Sequence, residues 1–216
     1  MTEPEPIPLP SPGPTPASDD AATLDHWLAR ARACRLCAAA LPHAPRPVLR
    51  VKPGTRVLII GQAPGARAHR SGLPFDDRSG DRLRAWMGID RATFYDHPAL
   101  SMLPMGLCFP GQDARGADRL PPAICAPTWH DPLLARLPEL RLTLLVGRIA
   151  QRRYLGAGCG PTLAATLRAH AARGPERLAL PHPSWRNTAW LAAHPWFAAE
   201  ILPVLRARIA ALLGPG

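Results

Sequence analysis

Four apolar residues, Val57-Leu58-Ile59-Ile60, follow Arg56 and stop abruptly at Gly61-Gln62-Ala63-Pro64-Gly65. A run this short, apolar at every position and partly β-branched, reads as a parallel strand buried on both faces rather than as a helix. Glycines at 61 and 65 open backbone angles closed to other residues and let main-chain N–H groups approach a ligand. Ligands of open α/β sheets bind beyond the carboxyl ends of the strands. The chain then passes through residues 66 to 80 into an amphipathic segment from Asp81 to Ile89.

Three more strands are expected: Ala99 to Leu103, disturbed by Pro104; Leu142 to Gly147; and Arg177 to Leu180. A short extended piece, Val48 to Val51, precedes the first strand. Helices are expected over about 21–33 (capped by Asp20 or Thr23), 81–89, 129–137, 148–155, 161–172 and 196–213, the last interrupted at Pro203. Strands alternating with helices predict an α/β fold: a three-layer α/β/α sandwich around a central, mostly parallel four-stranded sheet. Residues 1–20, where proline alternates with small and acidic residues, read as an extended tail. Residues 21–216 are one domain.

Charge is unevenly spread. The net charge is +10, but the first twenty residues hold Glu3, Glu5, Asp19, Asp20 and no base. The remainder therefore carries 26 basic against 12 acidic residues. A basic body suits a polyanionic partner such as nucleic acid. Lys52 is the single lysine, so the arginine excess also fits a GC-rich genome. No stretch approaches the roughly 20 apolar residues of a membrane span, and the start lacks the pattern of a signal peptide. A cytoplasmic, monomeric protein without membrane contact is expected.

Cys34 and Cys37 form a C-x2-C pair, and Cys108 and Cys125 flank a long stretch without evident secondary structure. A loop of that length is usually functional or held by a ligand. Two close and two distant thiolates suit tetrahedral zinc or a [4Fe–4S] cluster; unliganded buried cysteine is the plainer alternative. The spacing leaves zinc and iron–sulfur both open. Cys159 has no partner in this scheme.

In order along the chain stand Cys34/Cys37, Gly61-Gln62-Ala63-Pro64-Gly65, Gly72-Leu73-Pro74-Phe75, Cys108/Cys125 and His182-Pro183-Ser184. This succession resembles the uracil-DNA glycosylase superfamily, in its iron–sulfur branch of families four and five. Asn187-Thr188 after His-Pro-Ser looks most like family five. The resemblance spans about residues 24 to 211. It implies a base-flipping glycosylase of DNA repair acting on single- or double-stranded DNA, with a [4Fe–4S] cluster on Cys34, Cys37, Cys108 and Cys125. It also implies that Phe75 stacks on the flipped base, that His182 donates to the carbonyl where charge develops, and that Gly61, Ala63, Pro64 and Gly65 hold the base edge and a phosphate. Ser184 would bind a phosphate, and Trp185 or Arg186, beside Asn187, would enter the space the base leaves.

Two positions depart from the family. Gln62 stands where family four carries a catalytic glutamate, and an amide cannot be a general base. Asp76 or Asp77 can take that part, or can cap helix 81–89. Pro104 stands where the family reads the pyrimidine edge with asparagine. These departures support a rival reading, a non-catalytic nucleic-acid-binding member of the superfamily. A small-phosphate-binding α/β protein is a third, against which the lack of a Walker or G-x-G-x-x-G pattern counts.

Overall fold

The computed structural model describes residues 23–171 and 176–214. The expected tail at 1–20 lies outside them. Four strands, β1 (Val57–Ile60), β2 (Leu100–Met102), β3 (Leu142–Val146) and β4 (Arg177–Leu180), form one sheet in the order β2-β1-β3-β4. Every pairing is parallel, with Val57 opposite both Leu100 and Leu142, and Thr143 opposite Arg177.

Alternate strand residues face opposite ways, so the largely apolar strands supply two cores. Val57, Ile59, Leu144 and Leu178 meet α3 (Arg78–Met87), α4 (Arg91–Asp96), α7 (Leu163–Ala171) and α9 (Leu202–Leu213) on one face. Leu58, Ile60 and Leu145 meet α1 (Leu24–Arg32), α5 (Cys125–Leu134) and α6 (Arg148–Leu155) on the other. Full burial of each such side chain contributes about 1.5–3 kcal/mol. The result is the expected three-layer sandwich, and among the described residues no helix is long and apolar enough to cross a membrane.

Several elements differ from the expectation. Helix α1 starts at Leu24 rather than about Ala21, capped as expected by Thr23, whose hydroxyl accepts from His26 N–H. Within the expected extended piece Val48 to Val51, Arg50 makes an antiparallel bridge to Met102. Helix α5 starts at Cys125, four residues before the expected Trp129. Pro127 is harmless there, because first-turn N–H groups have no intrahelical acceptor. Pro203 sits in the first turn of α9 rather than interrupting a helix, and a π-helical segment, Phe197–Ile201, leads into it. The short helices α2 (Ala66–Ser71), α4 and α8 (Thr188–Ala193) were not anticipated. Helix α3 begins at Arg78 rather than Asp81.

Candidate active site

A cavity of about 490 Å³ opens at the carboxyl ends of the strands. The Gly61–Gly65 loop, Pro74 to Ser79, Pro104, the 112–118 loop and the His182–Asn187 segment enclose it. Every expected catalytic or substrate-contacting residue borders it except Asp76.

Phe75 has φ +56°, a left-handed backbone that a bulky residue rarely adopts and that costs about 1–3 kcal/mol. Two glycines permit it. A Cβ on Gly80 would fall 1.8 Å from the Phe75 carbonyl oxygen, and one on Gly61 would fall 2.9 Å from Phe75 Cζ. The ring stands edge-on to Phe94, and Tyr95 O–H donates to the Pro74 carbonyl at 3.0 Å. Phe75 is thereby fixed over the loop that ends β1.

His182 follows β4 and lies against Gly147 at the end of β3. Burial pulls its pKa below the ordinary 6.5, while Asp77 and Asp118 pull the other way, so the ring is neutral at pH 7. Asn187 Nδ2 donates to the His182 carbonyl at 2.6 Å. Arg82, on α3, donates to the Ser184 carbonyl at 2.9 Å and to Thr188 Oγ1 at 3.3 Å. The segment is braced at both ends. Trp185 projects outward at 74% exposure, and Arg186 Nη2 reaches the Gly116 carbonyl at 3.4 Å.

The two aspartates after Phe75 part company. Asp77 caps α3, its Oδ1 accepting from Gly80 N–H at 2.9 Å, and borders the cavity. Asp76 is bound to Arg91 Nη2 at 2.9 Å; that hydrogen bond holds its carboxyl below the usual range. Gln62 Nε2 points to the Arg119 carbonyl at 3.4 Å, while the Gln62 main-chain carbonyl accepts from Gly106 N–H at 2.9 Å. Pro104 also borders the cavity, its carbonyl accepting from Nε2 of the fully buried His130 at 3.0 Å. Asp118 and Gln112 were missed in the sequence. They meet through an isolated bridge and a 3.1 Å side-chain hydrogen bond. The available signal was the pair of loop glycines, Gly111 and Gly116, that turn the chain there.

Cys34, Cys37, Cys108 and Cys125 border a second, apolar cavity of about 20 Å³. Burial raises the thiol pKa of Cys108 to about 11 and of Cys125 to about 12; the neighbouring cysteines add to both. Deprotonating them at neutral pH requires a positive charge nearby. Leu107 N–H already donates to Cys125 Sγ at 3.3 Å, as a thiolate ligand would use. Among the described residues no three His, Cys, Asp or Glu side chains stand close enough to share one ion. The four cysteines nevertheless line one apolar space.

A family model, the uracil DNA glycosylase superfamily, matches residues 50–206. Among solved structures, the solution structure of a candidate uracil DNA glycosylase from Methanosarcina acetivorans is similar. It is 19% identical over 73% of this chain and 93% of that one, with a TM-score of 0.42.

Proposed function

The chain belongs to the uracil DNA glycosylase superfamily, and from that premise we propose that it hydrolyses the bond between C1′ and the base of a deaminated nucleotide in DNA, with uracil the first candidate. The observation that carries this reading is the single cavity bordered by Phe75, His182 and Asp77. The chemistry asks for a stacking face, a hydrogen-bond donor to the departing base and a group that positions water. Phe75 provides the first. Neutral His182 donates an N–H to the base carbonyl on which charge gathers, an interaction stronger in the transition state than before it. Asp77, not the ion-paired Asp76, is the carboxylate placed to hold the water. Ser184 and the Gly61–Gly65 amides hold phosphate and base edge, and Trp185 fills the gap left in the stack.

The cysteine pocket holds a [4Fe–4S] cluster on Cys34, Cys37, Cys108 and Cys125 in this reading. Bound there, the cluster cross-links the segment after α1, the 108–124 loop and the start of α5.

Oligonucleotides carrying one uracil, hypoxanthine or xanthine, in single and double strands, test the proposal. Alkali-cleavable sites on one of them, lost in His182→Ala, are expected. The second reading, a binding member without catalysis, draws on Gln62, whose amide cannot act as a base, and on Pro104, which brings no side-chain hydrogen-bonding group to the cavity. It predicts salt-sensitive DNA binding with no abasic site formed on any substrate.

A further inference from the structure

Asp118 belongs to none of the sequence motifs, yet it borders the same cavity as Asp77. A side-chain carbon on Gly65 would stand 3.7 Å from Asp118 Oδ2 and 3.8 Å from Asp77 Oδ2. Both oxygens therefore look onto the same small space beside the loop. Each carboxylate is anchored through its other oxygen: Asp77 Oδ1 by Gly80 N–H at 2.9 Å, Asp118 Oδ1 by Gln112 Nε2 at 3.1 Å. The loop bearing Asp118 is itself tied down. Arg119 N–H donates to the Gly111 carbonyl at 2.9 Å, and Asp113 Oδ1 accepts from Arg115 and Ala117 N–H at 2.9 and 2.8 Å. Both carboxylates are also close enough to His182 to act on its charge.

Resting on the reading that this cavity takes a flipped nucleotide, we infer that Asp118 is a second catalytic carboxylate, which with Asp77 holds the attacking water between them. One carboxylate accepts one hydrogen of a water and leaves the other free to swing. Two fix both hydrogens and aim the lone pair at C1′. As the water oxygen bonds to C1′, the C1′–N bond breaks and its electron pair leaves with the base, stabilised by the His182 N–H. The water proton passes to one of the two carboxylates and from there to solvent. The pair of negative charges also faces the cationic sugar of the transition state. Gln62, an amide, is not needed as a base in this scheme.

Single-turnover base release by the full chain and by Asp118→Asn, Asp77→Asn and the double variant tests this. Asparagine keeps the volume and an oxygen for Gln112, so the loop has no reason to move. Each single variant is expected to slow release about 10²-fold or more. The double variant should lose less than the product of the two, since both act on one water. Binding to an uncleavable 2′-fluoro substrate analogue should stay unchanged, and added formate should restore part of the rate of Asp118→Ala. An Asp118→Asn protein as fast as the unaltered one overturns the inference. So does a slow variant whose binding weakens in step and which formate does not rescue, because Asp118 is then structural. Absence of release by the unaltered chain overturns the glycosylase reading and this inference with it.

Discussion

A Cβ placed on Gly61 falls 2.9 Å from Cζ of Phe75, inside the distance that carbon contacts allow. The start of the loop after β1 and the proposed stacking ring are thus in direct contact, and the ring settles where a side chain would otherwise be. The strained φ of Phe75 and the closeness of Gly80 to its carbonyl belong to the same arrangement. Strain of this kind persists only where the surroundings over-determine it.

Gly61→Ala should therefore displace the Phe75 ring while leaving the sheet intact. We expect a stability loss of about 1–3 kcal/mol, typical of overpacking, and weaker binding of a flipped base. Gly80→Ala should be worse for folding, because its Cβ meets a backbone oxygen rather than the end of a side chain. Thermal melts of the two variants check the order. A Gly61→Ala protein with unchanged stability and base binding would separate Phe75 from the loop.

His182→Ala removes the donor aimed at the departing base. Loss of one such donor typically costs about 10²–10³ in rate. DNA binding, which rests on phosphate contacts, should change little. Single-turnover assays beside binding isotherms make the comparison; a variant that binds poorly but releases base at the normal rate would assign His182 to binding alone.

Acid should weaken the fold through His130. Burial lowers its pKa from 6.5 to about 4, and the neutral ring donates to Pro104 through Nε2 while Tyr154 O–H meets Nδ1. Between those two values the unfolded chain binds the proton and the folded chain does not. Stability is thus fully present above pH 6.5 and falls as the pH drops toward 4, by about 3 kcal/mol in all. His130→Gln keeps a donor for Pro104 and cannot titrate. Denaturant titrations from pH 7 to 4.5 should show a shallower decline for it than for the unaltered protein; equal slopes would remove His130 from the acid response.

The cysteine pocket makes its own prediction. Protein purified without oxygen should carry about four iron and four sulfide per chain and absorb near 400 nm. Cys108→Ser should lower both the iron content and the melting temperature. A colourless protein with one zinc would refute the iron assignment.

Much of the fold was legible because burial on both faces leaves an unmistakable apolar run. β1 and β4 begin and end where the sequence placed them, and β3 stops one residue short of the expected Gly147. Pro127 hid the start of α5, since proline reads as a breaker unless the first turn is already located. Short α2 carries too few apolar positions for a period to show. In the site, Phe75 and His182 stood out through motifs, but Asp118 did not. What brings it to the cavity is a bridge to Gln112 and two positive-φ glycines, a tertiary arrangement with no local pattern of its own.

Glycosylase activity is read most directly by mass-spectrometric detection of free base after the protein is mixed in excess with DNA bearing a single uracil, hypoxanthine or xanthine. Release of one of these bases by the unaltered chain is expected, and its loss, with DNA still bound, in Asp77→Asn and His182→Ala. DNA bound with every base still attached, by the unaltered chain itself, would contradict it.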